Sequence, residues 1–310
     1  MGLLSWLFGG AKRTKSVSAG GEAKPRAPRW PKGLSPWLNP RRLWNLARNI
    51  DKHYREFEIE LPGGRRRPIT APDNTLRFVQ RRILDKVLNK VDLSESCHGF
   101  RKGRSILTNA KGHVGKDVVL AVDVKDFFPS ITFPRVYGLF KHLGYDKNRA
   151  ALLARLTTYK NVLPQGAPTS PAIANLVCRA LDRRLCALSK KGGFTYTRYA
   201  DDLTFSGPAK LVNYTRHIQN IVKDEGFQLN LRKTRIMRRN HRQEVTGLVV
   251  NDKVALPREW RRDLRAALHH LKKKQPVEDK PETVYGKLAF LKMVHPEYYK
   301  AEVKAIRALA

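Results

Sequence analysis

The sequence predicts an α+β fold, and three observations carry that prediction. A short apolar run from Val118 to Val122 reads as a buried strand that ends in Asp123. Residues 194 to 206 alternate as a hairpin, and helical apolar periods lie irregularly before, between and after these strands. Helices and short antiparallel strands interleaved in this way favour α+β over a doubly wound parallel sheet.

Taken in order, residues 1–36 are expected to form a flexible basic arm. Residues 10 to 36 are rich in Gly, Ser, Lys, Arg and Pro with no apolar period, and order should begin near Trp37. Pro72, Asp73 and Asn74 make a helix start; Leu76, Val79, Ile83 and Val87 then recur at helical spacing, with Arg77, Arg81, Arg82 and Lys86 on the other faces. A helix should follow from Thr132, with Phe133 and Pro134 in its first turn and Val136, Leu139, Phe140 and Leu143 inward. Another spans Ser170 to Leu188. The hairpin carries Ala200, Asp201 and Asp202 at its tip. Beyond it the pattern gives a helix around Leu211 to Glu225, a strand near Gln243 to Val250, and a basic helical region from Pro257 to Lys274. There is no internal repeat.

Composition narrows the partners. The chain of 310 residues carries 61 Lys plus Arg against 27 Asp plus Glu, a formal charge of +34, and its 41% hydrophobic content suffices for a sizeable core. Such a charge repels itself unless a polyanion is near, and nucleic acid is the usual one; an acidic membrane surface is the weaker alternative. No apolar run approaches the ~20 residues of a membrane span. The start lacks the basic residue of a signal peptide, and Trp6 stands where a myristoylation site needs Ser or Thr. Cys97, Cys178 and Cys186 show no zinc or redox spacing, which suits free thiols in the cytoplasm.

In a chain so poor in acids, adjacent Asp201 and Asp202 between apolar strands stand out. Two like charges ~4 Å apart cost up to ~4 kcal/mol at an effective dielectric of ~20 unless a cation lies between them. Asp123, at the end of its own buried strand, could join them if the two strands pair. The result would be an oxygen-rich open site suited to Mg²⁺, where two ions serve nucleotidyl transfer. Asp126 reads as structural.

These residues sit in segments that resemble a known family. "LAVDVKDFFPSI", "LPQGAPTSPAIANL", "TRYADDLTFSG" and "GFQLNLRKTRIM", in this order, closely resemble the palm of reverse transcriptases. "RRPITAPDNTLRFVQRRIL" and "SCHGFRKGRSI" are similar to the finger blocks, and the likeness covers roughly residues 65 to 250. "NAKGH", Asn109 to His113, and "VTG", Val245 to Gly247, are similar to signatures of bacterial retron reverse transcriptases.

The resemblance implies a right-hand polymerase fold, with fingers and N-terminal helices over 37–115, palm over 116–254 and a short helical thumb over 255–310. It implies RNA-directed DNA synthesis from dNTPs with two Mg²⁺ ions, Mn²⁺ being able to substitute. Asp123, Asp201 and Asp202 match the catalytic, metal-binding triad, and the Val124 carbonyl matches a further metal ligand. Phe128 matches the aromatic beneath the incoming sugar that selects deoxynucleotides. Gln165 and Gly166 match nucleotide contacts, and Lys233 the lysine that protonates pyrophosphate, although Arg232 and Arg235 beside it also fit a phosphate-attracting cluster. Arg67, Arg81, Arg101 and Arg104 are finger candidates for the triphosphate.

Asn109, His113, Val245, Thr246 and Gly247 are implied to face RNA or primer, with a structural role for Asn109 and His113 as the alternative. In the thumb, Trp260, Leu264, Leu268 and Leu271 form an apolar stripe, leaving Arg258, Arg261, Arg262, Arg265 and Lys272 to Lys274 for phosphates. The partners implied are a structured noncoding RNA serving as template and primer, its single-stranded DNA product, and a separate effector protein in antiphage defence. Priming would use a guanosine 2′-hydroxyl, giving branched RNA–DNA. Two rivals stand beside this reading. One is a group II intron or diversity-generating enzyme primed from a 3′-hydroxyl; the short length and the two retron signatures argue against it. The other is a noncatalytic RNA-binding scaffold, which the three retained carboxylates argue against.

Overall fold

The computed structural model describes residues 40–61, 63–273 and 281–300, so the arm expected at 1–36, the start near Trp37 and Lys274 lie outside the described residues. In chain order the elements are α1 (Pro40–Arg48), β1 (Tyr54–Leu61), β2 (Arg65–Pro72), α2 (Asn74–Lys86), α3 (Ile106–Lys111), β3 (Val118–Asp123), α4 (Phe133–His142), α5 (Lys147–Thr157), α6 (Ser170–Val177), α7 (Arg179–Gly192), β4 (Thr195–Tyr199), β5 (Asp202–Gly207), α8 (Thr215–Asp224), β6 (Arg235–Arg238), β7 (Glu244–Val245), β8 (Leu248–Val249), α9 (Arg258–Lys272) and α10 (Pro281–Val294). This is the α+β mixture the pattern predicts.

The chain forms two compact units. Of the described residues, the first takes those up to Phe100, Val124–Leu185 and Gln219–Leu229; the second takes Arg101–Asp123, Cys186–Ile218 and those from Asn230 onward.

In the first unit, β1 and β2 form an antiparallel ribbon with Phe57 opposite Ile69. The Asp73 side chain caps α2 by accepting from the Leu76 amide at 2.8 Å, and its other oxygen meets His53 Nδ1 at 2.7 Å. The inward face of α2 is Leu76, Val79, Gln80 and Ile83. Three of these follow the apolar period; Gln80 is buried because its amide nitrogen donates to Tyr54 Oη at 2.8 Å and to the Leu156 carbonyl at 2.9 Å.

The second unit is built on one antiparallel sheet of order β4-β5-β3-β6. Its core joins Val119 of β3 and Ala110 of α3 to Val245, Leu248, Leu264, Leu268, Leu288 and Leu291, so α9 and α10 close over the same apolar cluster as the β7–β8 hairpin. Two expectations are corrected in detail. The helix read as Ser170 to Leu188 is two, because Cys178 leaves the helical region with ψ near 0 between α6 and α7. The strand read as Gln243 to Val250 is a hairpin, turned at Thr246 and Gly247 by positive φ at both.

Candidate active site

Antiparallel register brings the acids together. Asp123, the last residue of β3, is the Cα partner of Asp202, the first residue of β5. Residues directly opposite in such a ladder share a face, so both carboxyls emerge on the same side at one end of the sheet. β4 ends at Tyr199, the partner of Asp202, which leaves Ala200 and Asp201 as a two-residue turn. Ala200 has φ +58, the left-handed setting a tight hairpin needs at its first turn position.

Electrostatics mark the same place. Asp202 keeps solvent access, yet desolvation by the surrounding protein, together with the like charges of Asp201 and Asp123, pushes its pKa up to about 6 against the opposing pull of Lys233 and Arg235. The Lys233 ammonium donates to Asp123 Oδ1 at 2.8 Å. Among the described residues no three His, Cys, Asp or Glu side chains converge closely enough to hold an ion as they stand. The donor chemistry nevertheless fits a hard divalent cation: the candidate donors are carboxylate oxygens, they repel one another, and a lysine ammonium already stands beside one of them.

The other expected residues fall as follows. Val124, directly after Asp123, is buried and bridges Leu229. Phe128 is partly buried, its ring 5.4 Å from that of Phe127 and 6.3 Å from that of Phe100. The Gln165 carbonyl accepts from the Thr70 amide at 2.7 Å. Gly166 has φ +128, and a Cβ there would stand 2.8 Å from the Thr70 carbonyl oxygen, so the glycine is required by its approach to β2. Arg67 and Arg81 are exposed; Arg101 and Arg104 are partly buried, the Arg104 amide donating to the Arg101 carbonyl at 3.2 Å. Asn109, His113 and Val245 are buried, whereas Thr246 is partly buried and Gly247 is exposed. Arg258, Arg261, Arg262 and Arg265 are all exposed on α9.

Sequence reasoning missed Arg198. Its side chain is fully buried, and Nη1 donates to the Ala200 carbonyl at 3.2 Å, at the turn that carries Asp201. The available signal was a cation inside an apolar strand, which must be satisfied internally if the strand is buried.

Known proteins share this chain's pattern. The family described as "Reverse transcriptase (RNA-dependent DNA polymerase)" matches residues 59–261. The Retron Mx65 reverse transcriptase of Myxococcus xanthus is 44% identical over 266 residues, covering 79% of this chain and 62% of that protein. The Retron Mx162 reverse transcriptase of the same organism is 41% identical, covering 85% and 62%. The Retron Ec86 reverse transcriptase of Escherichia coli is 38% identical, covering 85% and 83%. The chain thus spans less than two thirds of the two Myxococcus proteins. It belongs to the reverse transcriptase family, with the right-hand polymerase fold and the general use of divalent metal ions that go with it. Its relatives narrow that membership to the bacterial retron branch.

Proposed function

We propose that this protein is an RNA-directed DNA polymerase that copies part of its own bound, structured noncoding RNA into single-stranded DNA. The observation that supports this best is the pairing of Asp123 with Asp202 across β3 and β5, with Asp201 next to them in the turn. Bound divalent ions, which we take to be two Mg²⁺ with Mn²⁺ as a substitute, would activate a primer hydroxyl and offset charge on pyrophosphate. Asp123, Asp201 and Asp202, with the Val124 carbonyl, would hold them. The primer oxygen bonds to the α-phosphorus of a dNTP as the bond to the β-phosphate oxygen breaks. Lys233, on the same end of the sheet, carries a proton that departing pyrophosphate can take.

Fingers over 37–115, palm over 116–254 and thumb over 255–310 divide the labour in this reading. Phe128, Gln165, Gly166 and Arg104 serve the nucleotide; Thr246, Gly247 and the α9 arginines serve RNA and primer. Our reading further takes priming from a guanosine 2′-hydroxyl, a cytoplasmic setting and a role in antiphage defence with a separate effector protein; likeness to retron enzymes supports it. Among the described residues no helix is long and apolar enough to cross a membrane.

The test is expression in a bacterium with the adjacent noncoding DNA, followed by denaturing gels of the co-purified nucleic acid before and after RNase and debranching enzyme. A discrete DNA band is expected, lost with Asp201→Asn and Asp202→Asn, whose mobility shifts on debranching. RNA without DNA would favour a noncatalytic scaffold. Unbranched DNA would favour a 3′-primed enzyme.

A further inference from the structure

We propose that Asn109, in α3, and His113, in the turn just past its end, are positioning residues that brace both the catalytic hairpin and the β7–β8 turn. The proposal rests on the polymerase reading above. Neither side chain has any exposed surface, so neither reaches nucleic acid while the fold is intact.

His113 is held on both sides. Nδ1 lies 2.7 Å from Ser206 Oγ on β5, and Nε2 lies 2.7 Å from Thr197 Oγ1 on β4. One ring nitrogen donates and the other accepts, and a hydroxyl satisfies either role. In register, Thr197 pairs with Thr204 and Ser206 with Thr195, so the imidazole spans the ladder diagonally. A slip of β4 along β5 would break one of the two bonds. Such a slip would also move Asp201 and Asp202, which sit at the closed end of this hairpin.

Asn109 meets the β7–β8 turn instead. Its Nδ2 donates to Thr246 Oγ1 at 3.4 Å, and Thr246 Oγ1 lies 3.4 Å from the Ile106 carbonyl, so α3 contacts the turn through both residues. Thr246 has φ +47, a setting strained for a β-branched side chain, and such strain persists only where neighbours hold it. Apolar packing adds to the hold, since Ala110, Ile106 and Leu107 share a cluster with Val245 and Leu248. The helix α3 and the turn that follows it thereby fix the distance between the β7–β8 turn and the carboxylates.

The test uses the full chain extending a DNA primer annealed to an RNA template, with hydrogen exchange read separately. Thr197→Val and Ser206→Ala each remove one His113 bond with little change of volume, and His113→Gln removes the ring. All three should lower kcat by roughly 10- to 100-fold while the dNTP KM and the RNA dissociation constant stay within about twofold. Exchange should quicken over 195–207 and not over 244–249; Asn109→Ala should do the reverse. RNA affinity falling tenfold with kcat intact would mean direct contact and overturn the proposal, as would any of the four variants loosening both segments alike. A wild-type chain that extends no primer would sink the polymerase reading, while the exchange pattern would still decide the brace.

Discussion

Lys233 Nζ lies 2.8 Å from Asp123 Oδ1, joining a side chain that is 60% exposed to one that is only 14% exposed. An exposed ammonium thus rests on a largely buried carboxylate at the end of β3, where the like charges of Asp201 and Asp202 make positive charge favourable. A divalent ion taking Asp123 as ligand must displace it. Lys233→Met should therefore tighten Mn²⁺ binding to the nucleic-acid-free protein by about 2- to 5-fold, the range of a solvent-screened ion pair. Titration followed by electron paramagnetic resonance reads this directly, and weaker binding in the variant would contradict the displacement.

The raised pKa of Asp202, about 6, sets a pH dependence. In the unfolded chain an Asp titrates near ~4, so the folded protein holds the extra proton between the two values. Asp202 therefore contributes stability below ~4 that is lost as pH rises through about 6. Divalent ions need the ionised form, so the rise in Tm they produce should be largest above pH 7 and fade as pH falls below about 6. Thermal melts with and without Mg²⁺ across this range check both signs.

Gly166→Ala places a methyl against the Thr70 carbonyl at 2.8 Å in a backbone setting that favours glycine. Overpacking of this kind costs about 1–3 kcal/mol. Denaturant melts should show that loss, and the dNTP KM should rise because Gln165, hydrogen-bonded to Thr70, moves with it. A melt unchanged from wild type would show that β2 yields freely.

On α9, the exposed Arg258, Arg261, Arg262 and Arg265 are expected to meet phosphates. Each single change to Gln should weaken RNA binding for all sequences alike and reduce the log–log salt slope by roughly 0.7 for single-stranded RNA. Binding isotherms at several salt concentrations distinguish this from solvated arginines, whose removal would leave the slope unaltered.

Much of the site is legible in the sequence because strand periodicity carried it. The run Val118 to Val122 and the hairpin at 194 to 206 match β3, β4 and β5, and the turn after Tyr199 puts Asp201 and Asp202 at its tip. What periodicity does not carry is pairing: only the register sets Asp123 opposite Asp202. Strand β6 escaped notice because it is an edge strand whose residues are mostly exposed, so Arg235 and Arg238 blur any apolar alternation. The β1–β2 ribbon escaped for a similar reason, with Phe57 and Ile59 exposed beside Glu56, Glu58 and Glu60. Asn109 and His113 were marked by resemblance alone; their burial against Thr246, Thr197 and Ser206 depends on partners 84 to 137 residues away, which no local pattern encodes.

The sheet order β4-β5-β3-β6 also dictates when the face that carries Asp123 and Asp202 can exist during synthesis. Strand β3 leaves the ribosome first, yet one neighbour, β5, ends at Gly207 and the other, β6, ends at Arg238. At ~5–20 residues per second the central strand waits roughly 6 to 23 seconds for its second edge to be made. Through that interval the nascent chain presents the apolar edge of Val118 to Val122 to its surroundings, and its safe passage depends on how quickly translation proceeds and on what shields the strand meanwhile.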